Sequence, residues 1–194
     1  MNGRKRAREG WIVSEADAQL LERFRRGEGA AFDALFLRHY NQVCRVAYGL
    51  VANREEAEDL AQETFLAFFR QPPQLNGDGA VLAWLCRVAL NAGYNKLRGE
   101  KRSRERVERV VGREQPAEFD PVSALLRAEE QAQVREVLAT MPERQARLLL
   151  LRHAGLSYAE IAEALEIAPG SVGTLLARAE KAFIAAFAPV VEIT

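Results

Sequence analysis

Apolar residues recur every three or four positions along nearly the whole chain, and no stretch shows strand alternation bounded by hairpin turns. That pattern predicts an all-α protein. Ser14, with Asp17 three residues on, marks the capped start of a short helix through Arg26, which the turn Gly27-Glu28-Gly29 ends. Phe32, Leu35, Phe36, His39, Val43, Val46, Ala47 and Leu50 then share one side of a helix of about five turns. Asn53 is placed to cap a third helix with the stripe Ala57, Leu60, Ala61, Phe65 and Phe68, which Pro72-Pro73 stops. After a loop rich in Pro, Gly and Asn, a fourth helix runs from about Ala80 through Leu82, Leu85, Val88, Ala89 and Ala92 into a basic segment ending near Val110.

The periodicity lapses from Gly112 to Pro121, where Pro116, Pro121, Gly112 and acidic residues collect as they do in exposed linkers. It resumes over Val122 to Thr140 and again over Glu143 to His153, with Pro142 where a first-turn proline is tolerated and Gly155 as the stop. Ser157 and Glu160 form a capping box for a short helix with Tyr158, Ile161, Ala162 and Leu165 facing inward. Pro169 opens the last helix, which turns Val172, Leu175, Leu176, Ala179 and Phe183 inward and runs to Phe187. The expected architecture is two small helical domains, 14–111 and 125–188, joined by a flexible linker at 112–124. Neither half would have a large core of its own.

Charge changes the picture through its distribution. The 27 basic and 27 acidic residues cancel overall, yet the two signs are segregated. Residues 71–111 carry Arg87, Lys96, Arg98, Lys101, Arg102, Arg104, Arg106 and Arg109 against only Asp78, Glu100, Glu105 and Glu108. Residues 14–70 lean acidic, so the N-terminal half offers two faces of opposite sign and hence two partners. Cys44 and Cys86, far apart and flanked by apolar residues, read as small buried hydrophobes of a reducing compartment. The apolar run after the basic N-terminus is too short for a signal peptide, and no run is long enough to cross a bilayer. A cytoplasmic protein without membrane insertion is expected.

The helices Ser157–Leu165 and Pro169–Phe187, joined by only Glu166, Ile167 and Ala168, have the short turn of a helix-turn-helix. In that motif the second helix reads the major groove, here through Ser171, Thr174, Arg178 and Lys181. A plain helical hairpin in a bundle fits the spacing equally well. The outward face is only weakly basic, so such a module binds DNA weakly when alone.

Three segments, Met141-Pro142-Glu143-Arg144-Gln145, Gly155-Leu156-Ser157-Tyr158-Ala159-Glu160-Ile161-Ala162 and Gly170-Ser171-Val172-Gly173-Thr174, resemble region 4 of the extracytoplasmic-function group of bacterial sigma-70 factors. Ala57-Glu58-Asp59-Leu60-Ala61-Gln62-Glu63-Thr64-Phe65-Leu66 resembles region 2.2 of the same proteins. Ala83-Trp84-Leu85-Cys86-Arg87-Val88-Ala89-Leu90-Asn91, followed by Lys96-Leu97-Arg98, resembles their regions 2.3 and 2.4. The resemblance implies a promoter-specificity subunit with core RNA polymerase, promoter DNA and an anti-sigma factor as partners. On core, it implies contacts with the coiled coil of the largest subunit and the flap of the second largest. It requires no cofactor and no metal.

The residue chemistry agrees with that implication helix by helix. On the third helix Asp59, Gln62 and Glu63 lie off the apolar stripe with Leu66 beside them, a face suited to docking on the polymerase coiled coil. A solvated acidic surface has the same composition. On the fourth, Trp84, Arg87, Asn91, Asn95 and Arg98 line one face, where amides suit exposed base edges and arginines suit phosphate. The resemblance makes this the minus-10 reader, with Asn76 and Asp78 of the preceding loop as pocket groups and Lys101 and Arg102 as phosphate contacts. For Trp84 a core anchor is the competing role. Ser157, Tyr158, Ser171, Thr174, Arg178 and Lys181 make up the expected minus-35 reader. Leu90 and Asn95 depart from the group's usual Arg and Asp, as do Leu175 and Leu176 from a basic residue and a serine.

An enzyme is disfavoured. Neither His39 nor His153 has a Glu three residues before it, as a di-iron bundle would need, and two histidines with two scattered cysteines make no zinc site. His39 sits on an apolar stripe and reads as a satisfied core histidine. No phosphate-cradling glycine loop and no nucleophile-base grouping is legible. The rival functions are a helix-turn-helix regulator that binds duplex without polymerase, and an adaptor that binds only protein.

Overall fold

The computed structural model describes residues 16–51, 53–75, 77, 79–107 and 132–191. Ser14, the loop residues Asn76 and Asp78, and the expected linker 112–124 lie outside them. The described residues form eight α-helices and no strand. In order these are α1 (Asp17–Arg25), α2 (Gly29–Val51), α3 (Arg54–Arg70), α4 (Ala80–Val107), α5 (132–140), α6 (Glu143–His153), α7 (Tyr158–Leu165) and α8 (Val172–Val191).

Local chemistry sets most of the boundaries. The Asn53 side chain accepts a hydrogen bond from the Glu56 amide at 3.1 Å, and the chain breaks at the proline pair after α3. Gly155, at φ +90, closes α6 in the left-handed conformation that glycine adopts without a Cβ clash. The capping box of α7 is complete, with Ser157 accepting from the Glu160 amide and Glu160 accepting from the Ser157 amide.

Some expectations need correction. The N-cap of α1 is Ala16, which makes no side-chain cap, and Asp17 is instead buried. There Asp17 pairs with Arg38 and with His39 Nε2, the latter at 2.7 Å, tying α1 to α2. His39 is satisfied at one ring nitrogen only, since its buried Nδ1 has no partner. Cys44 is half-buried against Tyr40 rather than enclosed, whereas Cys86 is fully buried. A turn of 3-10 helix, Pro169–Ser171, precedes α8, which continues past Phe187 to Val191.

α2 is the spine of the N-terminal half. It packs on α1, α3 and α4, burying Leu35, Val43 and Val46. Around its first turns Phe24, Phe32, Phe36, Phe65, Phe68 and Phe69 make a cluster of stacked, tilted and edge-on rings, for example Phe32 and Phe69 at 5.0 Å. In the C-terminal half α6 lies on α8, and α7 packs on α4 of the other half. Buried residues from all three, including Leu148, Leu151, Ile161, Ala162 and Leu176, belong to the same apolar cluster as Leu85, Ala89 and Leu90 of α4. One continuous core therefore serves both halves.

Candidate functional site

α3 turns its apolar stripe onto α2, which forces its charged positions outward. Asp59, Gln62 and Glu63 are exposed, and neither acid makes an ion pair among the described residues. Leu66 beside them is 50% exposed and Phe69 51%. Glu56 and Glu58 are drawn off to Lys96 and Arg54, so the negative charge of α3 without an ion pair among the described residues lies on Glu55 in its first turn and on Asp59 and Glu63 further along. The result is a rigid acidic ridge with an apolar margin, the form of a surface that steers and then seats a basic, partly apolar partner.

The polar face of α4 is assembled as its spacing predicted, but it is engaged. Arg87 pairs with Glu166, and Arg98 donates to Glu143 Oε2 at 3.0 Å and to Asn95 Oδ1 at 2.8 Å. Asn91 Oδ1 accepts from Arg147 Nη1 at 2.9 Å, while the Arg147 guanidinium lies 4.8 Å from the centre of the Tyr94 ring. Burial pushes the Tyr94 phenol up to about 12, with the Glu143 charge adding to the effect, so it stays protonated at neutral pH. Trp84 is half-buried with its ring 5.6 Å from Phe68, so much of the indole serves the core. Arg102 is exposed and donates to the Arg98 carbonyl; the Lys101 side chain lies outside the described residues, as do Asn76 and Asp78. Sequence reasoning missed Glu143, Arg147 and Glu166 as partners of this face. Only their charge signalled such a role, because pairing across 45 to 79 residues leaves no local pattern.

The C-terminal helix pair has the expected short turn. Glu166, in the left-handed region at φ 54, ends α7 and redirects the chain into Pro169. Inward positions of α7 are Ile161, Ala162 and Ala164, with Leu165 half-buried. Tyr158, expected inside, is 48% exposed and lies under the Arg152 guanidinium. On α8, Val172, Leu176 and Ala179 are buried, and Leu175 and Phe183 partly so. Thr174, Arg178 and Lys181 are exposed together, whereas Ser171 is half-buried and donates to the Ala168 carbonyl at 2.7 Å. Arg178 and Lys181 make no ion pair among the described residues, so they are available to phosphate or base edges. Among the described residues no group of His, Cys, Asp and Glu is placed to hold a metal, and no helix is long and apolar enough to cross a membrane.

Comparison with known proteins gives two family matches, sigma-70 region 2 over residues 35–103 and sigma-70 region 4 over residues 131–183. Among similar curated proteins, the RNA polymerase sigma-H factor of Pseudomonas aeruginosa is 33% identical, the alignment covering 92% of this chain and 97% of that protein. The extracytoplasmic-function sigma factor SigM of Mycobacterium tuberculosis is 32% identical over 84% of this chain and 81% of its own length. Of the solved structures, CnrH in complex with the cytosolic domain of CnrY aligns over 88% of this chain and 96% of its own, at 22% identity and a TM-score of 0.57. The sigma factor RpoE bound to the anti-sigma factor NepR from Bartonella quintana aligns over 80% and 95%, at 19% identity and a TM-score of 0.55. These structural likenesses establish a shared fold.

Proposed function

The chain belongs to the extracytoplasmic-function group of the sigma-70 family and acts as a sigma subunit that directs transcription initiation; we propose that its two halves divide the work at residues 14–111 and 125–188. The first half docks on core RNA polymerase through Asp59, Gln62, Glu63 and Leu66, against the coiled coil of the largest subunit. Its α4 face of Arg87, Asn91, Asn95, Arg98 and Arg102, with Asn76, Asp78, Trp84 and Lys101, captures opened minus-10 DNA. The second half reads the minus-35 duplex through Thr174, Arg178 and Lys181, with Ser157, Tyr158 and Ser171 at the margin, and sits by the flap of the second largest subunit.

The observation that carries this division is the order of the two family matches on residues that fold into an exposed acidic ridge, an amide-and-arginine face and a short-turn helix pair. The work is binding, without covalent chemistry by this chain, and is done in the cytoplasm. An anti-sigma factor is a further partner, a reading supported by a solved protein of the same fold that is bound to an anti-sigma factor. Run-off transcription from a library of upstream fragments, with core polymerase and this protein, tests the reading. Transcripts that require the wild-type chain and vanish with Asp59→Arg and Glu63→Arg together are expected. Duplex binding by the chain alone, with no added transcripts, would replace this reading with that of a direct regulator.

A further inference from the structure

α5, α6 and α8 meet the end of α2 around a groove whose residues have no part in the docking and promoter contacts proposed above. Its volume is about 730 Å³, within the range of roughly 300–1,000 Å³ in which small ligands bind. Leu138 of α5, Leu149 of α6, Phe183 and Ile184 of α8 and Tyr48 of α2 give it a mainly apolar lining. That lining is left partly in water, with Ile184 67% and Tyr48 37% exposed. The charged and titratable groups facing it are Arg135, Arg152, His153 and Glu180 beside the Tyr48 phenol. Arg152, His153 and Glu180 are exposed, and the Arg152 guanidinium lies over the Tyr158 ring and donates to the Leu156 carbonyl. Arg135 is different. It is half-buried in the groove and makes no ion pair among the described residues. Burial lowers its pKa, opposed only by the Tyr48 phenol, yet a guanidinium stays cationic at neutral pH. A cation drawn partly out of water with no counter-charge bears a desolvation cost that an anion set against it offsets.

We propose that this groove is a binding site for a free, single-chain carboxylate of about eight to ten carbons, its headgroup on Arg135 and its chain over Leu138, Leu149, Phe183 and Ile184. The planar guanidinium fork matches two carboxylate oxygens, and one such cation balances one monoanionic head. Size selects the single chain. At about 30 Å³ per heavy atom, the share of volume that a water takes, the twelve or so heavy atoms of a ten-carbon acid occupy roughly 360 Å³. The groove holds that with room to spare. A two-tailed lipid, on the order of 50 heavy atoms, needs roughly 1,500 Å³ and overfills it. Glu180 stands at the exposed edge, where water and salt screen its charge, so it opposes the anion less than half-buried Arg135 favours it. The site draws on α2 as well as on the C-terminal helices, so a bound chain adds to the stability of the fold through both halves.

Methyl NMR titration of the full chain tests this, because the groove carries its own reporters in Leu138, Leu149 and Ile184. Sodium octanoate, octan-1-ol and octyltrimethylammonium bromide share a chain and differ in head charge, and each is added below its micelle concentration. Octanoate is expected to saturate one site, to move those three methyl groups, and to bind about tenfold more tightly than the alcohol or the cation. Arg135→Gln should weaken octanoate about tenfold and leave octan-1-ol unchanged. Ile184→Glu sets a carboxylate on the path of the chain at an exposed position that the fold does not depend on, and it should weaken octanoate to a similar degree. If Arg135→Gln unfolds, Ile184→Glu decides alone. Equal binding of the three probes, or octanoate affinity unchanged in Arg135→Gln and in Ile184→Glu, would overturn the anion site. Shifts confined to methyl groups outside the groove, or no saturable binding of octanoate at all, would overturn the groove as its place.

Discussion

At the scale of single residues, the most consequential placement is Asp17. Among the described residues the buried polar side chains are Asp17, His39 and Thr64, and two of these three are bonded to each other across α1 and α2. Burial by itself would raise the Asp17 pKa, but the hydrogen bonds and charges of His39 and Arg38 outweigh it and hold the carboxyl below its ordinary 3.8. With the carboxylate as acceptor, His39 Nε2 donates the shared hydrogen bond, while the buried Nδ1 has no partner. A depressed carboxyl contributes stability that is present above its unfolded pKa and lost as pH falls through the folded value. Asp17→Asn should therefore destabilise the chain by about 2 kcal/mol near neutrality and by much less near pH 3. Urea unfolding of the two proteins at both pH values checks this; an equal gap at low pH would show that packing, and not the charge, is what the substitution removes. The sequence showed Asp17 only as a helix-start acid, because nothing local reveals that a carboxylate twenty-two positions from a histidine will be folded against it.

At the scale of elements, much more was legible, since caps and stripes are local. The proline pair, the Asn53 cap, Gly155 and the Ser157 to Glu160 box each sit where the residue types required. The exception within α7 is informative. Tyr158 shares the apolar stripe by spacing, but as the first helical residue it leaves the core and lies under Arg152, and Ala164 fills the inner face. Ser157 was a candidate for DNA contact, yet its hydroxyl accepts the Glu160 amide at 3.3 Å. That bond gives Ser157 a role at the helix terminus beside its proposed place at the minus-35 margin. Ser157→Ala should cost about 1 kcal/mol of stability, and Ser157→Asp should largely restore it. Arg178→Ala should do the converse, leaving the unfolding midpoint unchanged and lowering transcription from a minus-35-dependent promoter. Thermal unfolding alongside run-off transcription separates the two, and a promoter defect in Ser157→Asp at normal stability would return that residue to the DNA-reading set.

At the scale of the whole molecule, the apolar pattern predicted two halves and had no means of predicting that they share a core. Each stripe is visible in sequence, but which stripe covers which is decided by pairings over long separations. The shared core has an energetic consequence. Ile161 is fully enclosed in the cluster that joins α7 to α4, so Ile161→Ala should cost about 3 kcal/mol in a single cooperative transition. Two separated transitions in denaturant would mean that the halves fold independently.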